Sequence, residues 1–149
     1  MDTPEIPVLD INSVLIVDDN EIDIYIAKKI LRRKSAVKQI FSETSVQSAI
    51  HFLKKESILP EYILLDFNMP CKDGLDFLDE YEKLEERIRK STKVILISAY
   101  VDYLEERLEK VKSHPLLSGF VQKPFTLEGL AQAVMTIAPL LITQPLNIS

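Results

Sequence analysis

The chain has one cysteine, Cys71, in 149 residues, so no internal disulfide framework can staple it. It has no excess of basic charge: 18 Lys and Arg stand against 23 Asp and Glu, a net charge of −5. Such a chain has no general attraction for nucleic acid or for an anionic membrane surface, and neither is expected as a partner. No apolar run is long enough to cross a bilayer. The start, Met1-Asp2-Thr3-Pro4-Glu5, lacks the basic and then apolar order of a secretion signal. Internal repeats and low-complexity stretches are missing too. These absences leave a cytoplasmic protein of one domain, and 149 residues with 46% hydrophobic content suffice for a real core.

Four short apolar runs each close on a polar group. Val14-Leu15-Ile16-Val17 runs into Asp18-Asp19, Ile63-Leu64-Leu65 into Asp66, Val94-Ile95-Leu96-Ile97 into Ser98-Ala99, and Gly119-Phe120-Val121-Gln122 into Lys123-Pro124. Unbroken apolar runs of this length read as strands buried on both faces. Val37–Phe41 is a further, alternating strand. Between the strands lie helical patterns. The first starts at an Asn20 cap, has Glu21 and Asp23 placed to suit the helix dipole, and sets Ile22, Ile26, Ala27, Ile30 and Leu31 at helical spacing. The second starts with Thr44 as cap and Gln47 reaching back, and runs to about Lys55. The third follows a flexible turn at Gly74 and runs on towards Ile88. The fourth covers Val101–Lys112, and the fifth covers Thr126–Ala138 with Pro139 as its stop. The mixed charges of Glu80–Lys90 read as a solvated helix face. His51 and His114 read as surface residues without metal-ligand company.

Strand–helix alternation of this kind implies an α/β fold with a parallel sheet, right-handed crossovers and helices on both faces. Residues 1–12 read as a loose lead-in, 13–138 as the folded domain, and 139–149 as a tail without an effector domain.

Parallel strands deliver Asp18, Asp19, Asp66, Ser98 and Lys123 to one edge of the sheet, the edge where ligands bind in open α/β folds. A carboxylate that ends a buried run needs company, because an unpaired buried charge is costly. Three carboxylates together also repel, by about 4 kcal/mol per pair at 4 Å with an effective dielectric near 20. A hard divalent cation answers that repulsion. Magnesium, or manganese in its place, takes oxygen ligands and keeps waters that a phosphate can displace. With Lys123 and the Ser98 hydroxyl beside it, Asp66 has the surroundings a carboxylate needs to accept a phosphoryl group.

Asp18-Asp19, Leu65-Asp66-Phe67-Asn68-Met69-Pro70 with Gly74, Ser98-Ala99 and Lys123-Pro124-Phe125 occur in the order found in the response-regulator receiver domains of two-component signalling, and over residues 13–138 the chain resembles that family. The resemblance implies a flavodoxin-like doubly wound (βα)5 fold with strand order 2-1-3-4-5. It implies Asp66 as phosphoacceptor from a phosphohistidine on a sensor histidine kinase or a histidine phosphotransfer protein. It implies Asp19, Asp66 and the Asn68 carbonyl as direct magnesium ligands, with Asp18 acting through water. Ser98, the Ala99 N–H and Lys123 would hold phosphoryl oxygens, and the Lys123-Pro124 bond would be cis. Ser98 and Phe120 would form the switch, Phe120 standing where the family often has tyrosine; the residue reads equally as plain core packing. Asn68 lies beside the acceptor, on the phosphoryl-binding side, and Tyr100 beside the switch hydroxyl, at positions that in the family affect how long the phosphoryl group survives. A downstream protein would read the face of the fourth helix, fifth strand and fifth helix.

Two other functions fit parts of the pattern. One is a phosphorylation-independent protein-binding module on the same scaffold, which the complete acidic trio and Lys123 disfavour. The other is a magnesium-dependent phosphohydrolase working through an aspartyl-phosphate. Asp66-Phe67-Asn68 lacks a second aspartate two positions on, and the chain has no substrate cap. The sequence therefore reads as a signalling protein rather than an enzyme.

Overall fold

The computed structural model of the protein describes residues 8–33, 36–69, 71–99, 105–137 and 142–143. The elements run β1 (Val8–Leu9), β2 (Ile11–Val17), α1 (Glu21–Arg32), β3 (Val37–Glu43), α2 (Val46–Lys55) and β4 (Tyr62–Asp66). They continue with α3 (Gly74–Glu82), α4 (Glu86–Ser91), β5 (Lys93–Ser98), α5 (Glu105–Lys112), β6 (Leu117–Gln122), α6 (Leu127–Ile137) and β7 (Ile142–Thr143). Five strands form one parallel sheet in the order β3-β2-β4-β5-β6, the 2-1-3-4-5 order when only these five are counted. The fold is the expected doubly wound α/β sheet.

Alternation along the buried strands splits the core in two, because successive side chains point to opposite faces. Val14, Ile16, Leu64, Ile95 and Ile97 pack with α1 and α6 on one face. Leu15, Val17, Ile63, Leu65, Val94 and Leu96 pack with α2, α3, α4 and α5 on the other. The middle strand β4 is buried along its whole length, so its last residue, Asp66, has a fixed backbone.

Several local expectations change. β2 begins at Ile11, inside the stretch read as a lead-in, and both Leu9 and Ile11 are in the core. The polar Asn12 and Ser13 interrupt the apolar run and conceal that start, although Asn12 alone faces solvent. Leu9 also belongs to β1, which pairs antiparallel with β7. Ser45, not Thr44, caps α2: its hydroxyl accepts the Ser48 N–H at 3.1 Å, which lets Val46 open the helix fully buried. The capping box lies instead at Asp73 and Asp76, opening α3.

The third helix does not continue to Ile88. It ends at Glu82 with Lys83 as its cap, a tight turn buries Leu84, and Arg89 Nε donates to the freed Leu84 carbonyl at 3.1 Å while Ile88 turns inward on α4. Gly74 is the first residue of α3 rather than a flexible turn. A Cβ there would stand 3.3 Å from the Phe67 Cα, so the glycine admits close passage of the chain leaving Asp66. The turn itself is made at Cys71, with φ of 68°.

On α1 the inward stripe is Ile24, Ala27 and Leu31, while Ile22 and Ile26 face solvent with Tyr25. The helix carries apolar residues on both sides, so spacing alone could not choose between them. Pro70, Tyr100, the Val101 start of the fourth helix and the Pro139 stop lie outside the described residues.

The position of Ile11 gives a direct stability test. Ile11→Ala should cost about 2–5 kcal/mol in urea unfolding, as for other large-to-small changes in a packed core. Asn12→Ala, on the exposed side, should stay within about 0.5 kcal/mol of wild type. Equal, small effects would show that residues 8–12 are not part of the core.

Candidate functional site

The strand ends meet as the topology requires. The ladder runs past each strand: Asp18 N–H donates to the Glu43 carbonyl at 3.1 Å, Phe67 N–H to Ile97 at 3.1 Å and Lys123 N–H to Ser98 at 2.9 Å. The backbone beside each functional side chain is thereby held by the sheet. Asp18, Asp19, Asp66, Asn68, Ser98, Ala99 and Lys123 all line one open cavity of about 260 Å³. Asp18, Asp66 and Ser98 are buried, Lys123 is half-buried, and Asp19, Asn68 and Ala99 are exposed at the mouth.

The ammonium of Lys123 is the hub. It lies 3.0 Å from Asp66 Oδ1, 3.3 Å from Asp23 Oδ2 and 3.8 Å from Asp18 Oδ2. Burial works against its charge, but contacts with Asp66, Asp18 and Asp23 outweigh burial and hold its pKa above the ordinary lysine value. The carboxylates feel the reverse balance. Burial, then the charge of Asp18, pushes the Asp66 pKa up to about 6 in spite of Lys123. Burial also raises Asp18, against an N–H from Asn20 at 2.9 Å and the attraction of Lys123. One lysine does not neutralise the group.

Asp18, Asp19 and Asp66 can each present a carboxylate oxygen within 4.8 Å of the others, and all three are hard donors. This donor set fits a divalent cation of the magnesium type, which prefers oxygen ligands. Such a cation would offset both the burial and the neighbouring negative charge that together raise Asp18 and Asp66.

Ser98 directs its hydroxyl to the Ala99 carbonyl at 2.8 Å, and the Lys123-Pro124 peptide is cis. Phe120 stands away from the cavity. Its ring is half-buried against the α2–α5 side of the core, with the Lys112 ammonium 4.3 Å from the ring centre.

The loop after Asp66 is braced from a second helix. Arg107 on α5 grips Asp73 with two bonds, Nε to Oδ2 at 2.6 Å and Nη2 to Oδ1 at 2.9 Å. Asp73 at the same time caps α3 through the N–H groups of Leu75 and Asp76. Burial opposes ionisation of Asp73, but Arg107 and these N–H donors more than offset it and hold the carboxyl below its ordinary value. The chain segments that follow Asp66 and Ser98 are therefore tied to each other.

Sequence reasoning missed three features. Asp23 was read only as a helix-dipole charge, yet it reaches Lys123. Its place three residues after the Asn20 cap, on the first turn facing the acidic strand end, is the signal that could have found it. The Arg107–Asp73 fork joins residues 34 apart and has no local signature. His114, read as a lone surface histidine, lies beside Asp79 and Glu82. Its Nδ1 accepts the Leu116 N–H at 3.1 Å, so in the neutral ring Nε2 carries the proton and faces Asp79 at 3.9 Å. That tautomer serves the turn after α5.

The model of the response regulator receiver domain matches residues 14–135. The chain belongs to this family. The receiver is 28% identical over 127 residues to sporulation initiation phosphotransferase F of Bacillus subtilis, covering 85% of this chain and 94% of that protein. It is 30% identical over 128 residues to a protein-glutamate methylesterase/protein-glutamine glutaminase of Koribacter versatilis, covering 82% of this chain but only 33% of that longer protein. Among solved structures, a two-component response regulator from Cytophaga hutchinsonii superposes with a TM-score of 0.75 at 27% identity, covering 86% of this chain and 97% of that one. A receiver protein from Dyadobacter fermentans does so with a TM-score of 0.72 at 26% identity, covering 83% and 94%. Among the described residues no helix is long and apolar enough to cross a membrane.

The raised Asp66 pKa has a stability consequence. The folded receiver holds that proton more tightly than the unfolded chain, whose carboxyl titrates near 3.8. Metal-free stability should therefore fall as pH rises between those two values, to about 6, and stay low above. Asp66→Asn removes the penalty and should raise the metal-free melting temperature at pH 7.5 by roughly 5 °C, with little change at pH 4. A lower melting temperature for the variant at pH 7.5 would contradict this charge balance.

Proposed function

We propose that this receiver takes a phosphoryl group from a protein-borne phosphohistidine onto Asp66 and passes the signal to a protein partner through a change in shape. The observation that carries the reading is the single cavity in which buried Asp66 meets Asp18, Asp19, Ser98 and Lys123. An Asp66 oxygen bonds to phosphorus as the P–N bond to imidazole breaks. The electron pair returns to the ring nitrogen, which takes up a proton. Asp66 must be ionised to attack, and Lys123, already 3.0 Å from Oδ1, favours that form and then faces a phosphoryl oxygen. The Ser98 hydroxyl has to leave the Ala99 carbonyl to donate to another phosphoryl oxygen, with the Ala99 N–H assisting. Asp18, Asp19, Asp66 and the Asn68 carbonyl would hold magnesium or manganese, which supplies positive charge to the phosphoryl oxygens when bound.

A donor carried on a protein also needs somewhere to dock. Ile22, Tyr25 and Ile26 are 70%, 59% and 49% exposed on the α1 face beside the cavity. Ile26 also opens an apolar pocket of about 170 Å³ shared with Pro124 and Phe125. Apolar groups gathered next to a charged site suit a partner's side chains. A sensor histidine kinase or a histidine phosphotransfer protein meets that description, and a cytoplasmic location goes with either.

For output, the Ser98 movement would free space towards Phe120. Turning the ring inward would break its contact with Lys112, and the face of α5, β6 and α6 would change with it. The receiver unit we assign runs over residues 13–138, extended at its start by Leu9 and Ile11.

The test uses radiolabelled acetyl phosphate with magnesium. Wild type should take up about one acid-stable, hydroxylamine-labile phosphoryl group per chain, and Asp66→Asn none. Amide shifts around Phe120 and α5 should move on labelling. Equal labelling of Asp66→Asn refutes Asp66 as acceptor, and unmoved Phe120 shifts refute the switch.

A further inference from the structure

We propose that Asp23 is a specificity-determining residue: it shares the Lys123 ammonium with Asp66 and screens the site against small, free anionic phosphodonors. The inference rests on the phosphoacceptor reading above and deepens it. Asp23 sits on the first turn of α1, and its Oδ2 is 3.3 Å from Lys123 Nζ, against 3.0 Å for Asp66 Oδ1. Its side chain is 42% exposed, so it stands at the mouth while Asp66 lies at the base. Lys123 thus has one carboxylate on the inner side and one on the outer side of the path an incoming phosphoryl group takes.

Two effects follow from that position. The outer carboxylate holds part of the ammonium's attraction, which a phosphoryl group must win for itself. It also adds a negative charge within a Debye length of any dianion entering, a distance of about 10 Å at 0.1 M salt. A free phosphodonor meets both effects uncompensated. A donor borne on a protein can offset the second with a basic side chain of its own. The acidic trio alone gives no such selectivity, because a cation held by it draws in every phosphate alike.

The experiment measures phosphoryl uptake from acetyl phosphate at saturating magnesium. An Asp66 oxygen bonds to phosphorus while the P–O bond to the acetyl group breaks, and acetate leaves with the electron pair. Asp23→Asn keeps the shape and removes the charge. It should raise the second-order rate by roughly three- to eightfold at low salt, and the gain should shrink towards unity near 1 M salt, where a surface charge is screened. Glu21→Gln, which removes an exposed carboxylate of the same turn, should leave the rate within about twofold of wild type, as expected of a charge that does not share Lys123.

A rate for Asp23→Asn that is unchanged or lower overturns the proposal. So does a gain that survives high salt, or an equal gain from Glu21→Gln. Failure of the underlying reading looks different: wild type itself takes up no phosphoryl group, or Asp66→Asn takes up as much.

Discussion

Like charges packed against one ammonium govern this molecule. Asp18 and Asp66 are buried, Asp19 and Asp23 stand above them, and Lys123 touches three of the four. Left alone, such a group would relieve itself by spreading apart or by taking up protons, and burial, with the neighbouring charges added to it, raises the pKa values of Asp18 and Asp66 in the second direction. Spreading is prevented by the sheet. Asp18, Asp66 and Lys123 each stand at the end of a strand whose backbone is bonded to its neighbours, and β4 has no exposed residue along its length. Sheet stability is what keeps the charges close enough to act together.

The elements around the sheet serve the same constraint. Gly74 lets α3 start against Phe67, so the loop after Asp66 stays short and turns back at once. Arg107 ties the start of α3 to α5, and a bidentate guanidinium–carboxylate fork resists rotation better than a single contact. The loop that carries Asn68 and α5 are therefore joined by that fork. Lys112 on the same helix covers Phe120, so the helix contacts both the site's supporting loop and the aromatic ring beyond it.

Much of this was legible in the sequence because burial and chemistry coincide at the strand ends. An apolar run that closes on Asp66 or Lys123 announces a strand and a site together, and the parallel topology does the rest. Features that depend on facing directions or on distant partners were not legible. Ile22 and Ile26 keep helical spacing yet face outward, because α1 is apolar on both sides and only packing selects Ile24, Ala27 and Leu31. Leu84 breaks the third helix because its side chain must turn into the core, which charge patterning around it hides. Asp23 looked like an ordinary first-turn acid until Lys123, 100 residues away, arrived beside it. Thr44 and Ser45 are both good caps, and the need to bury Val46 chooses between them.

Membership of the receiver family accounts for the fold and for the general class of signalling, while the chemistry argued here turns on whether the crowded carboxylates are a cation seat. Calorimetric titration of magnesium at a series of pH values tests that most directly. The account predicts one site per chain whose affinity falls as pH drops through about 6, because protons and the cation compete for Asp66. Affinity that is flat across that range, or binding that survives neutralisation of both Asp18 and Asp66, would contradict it.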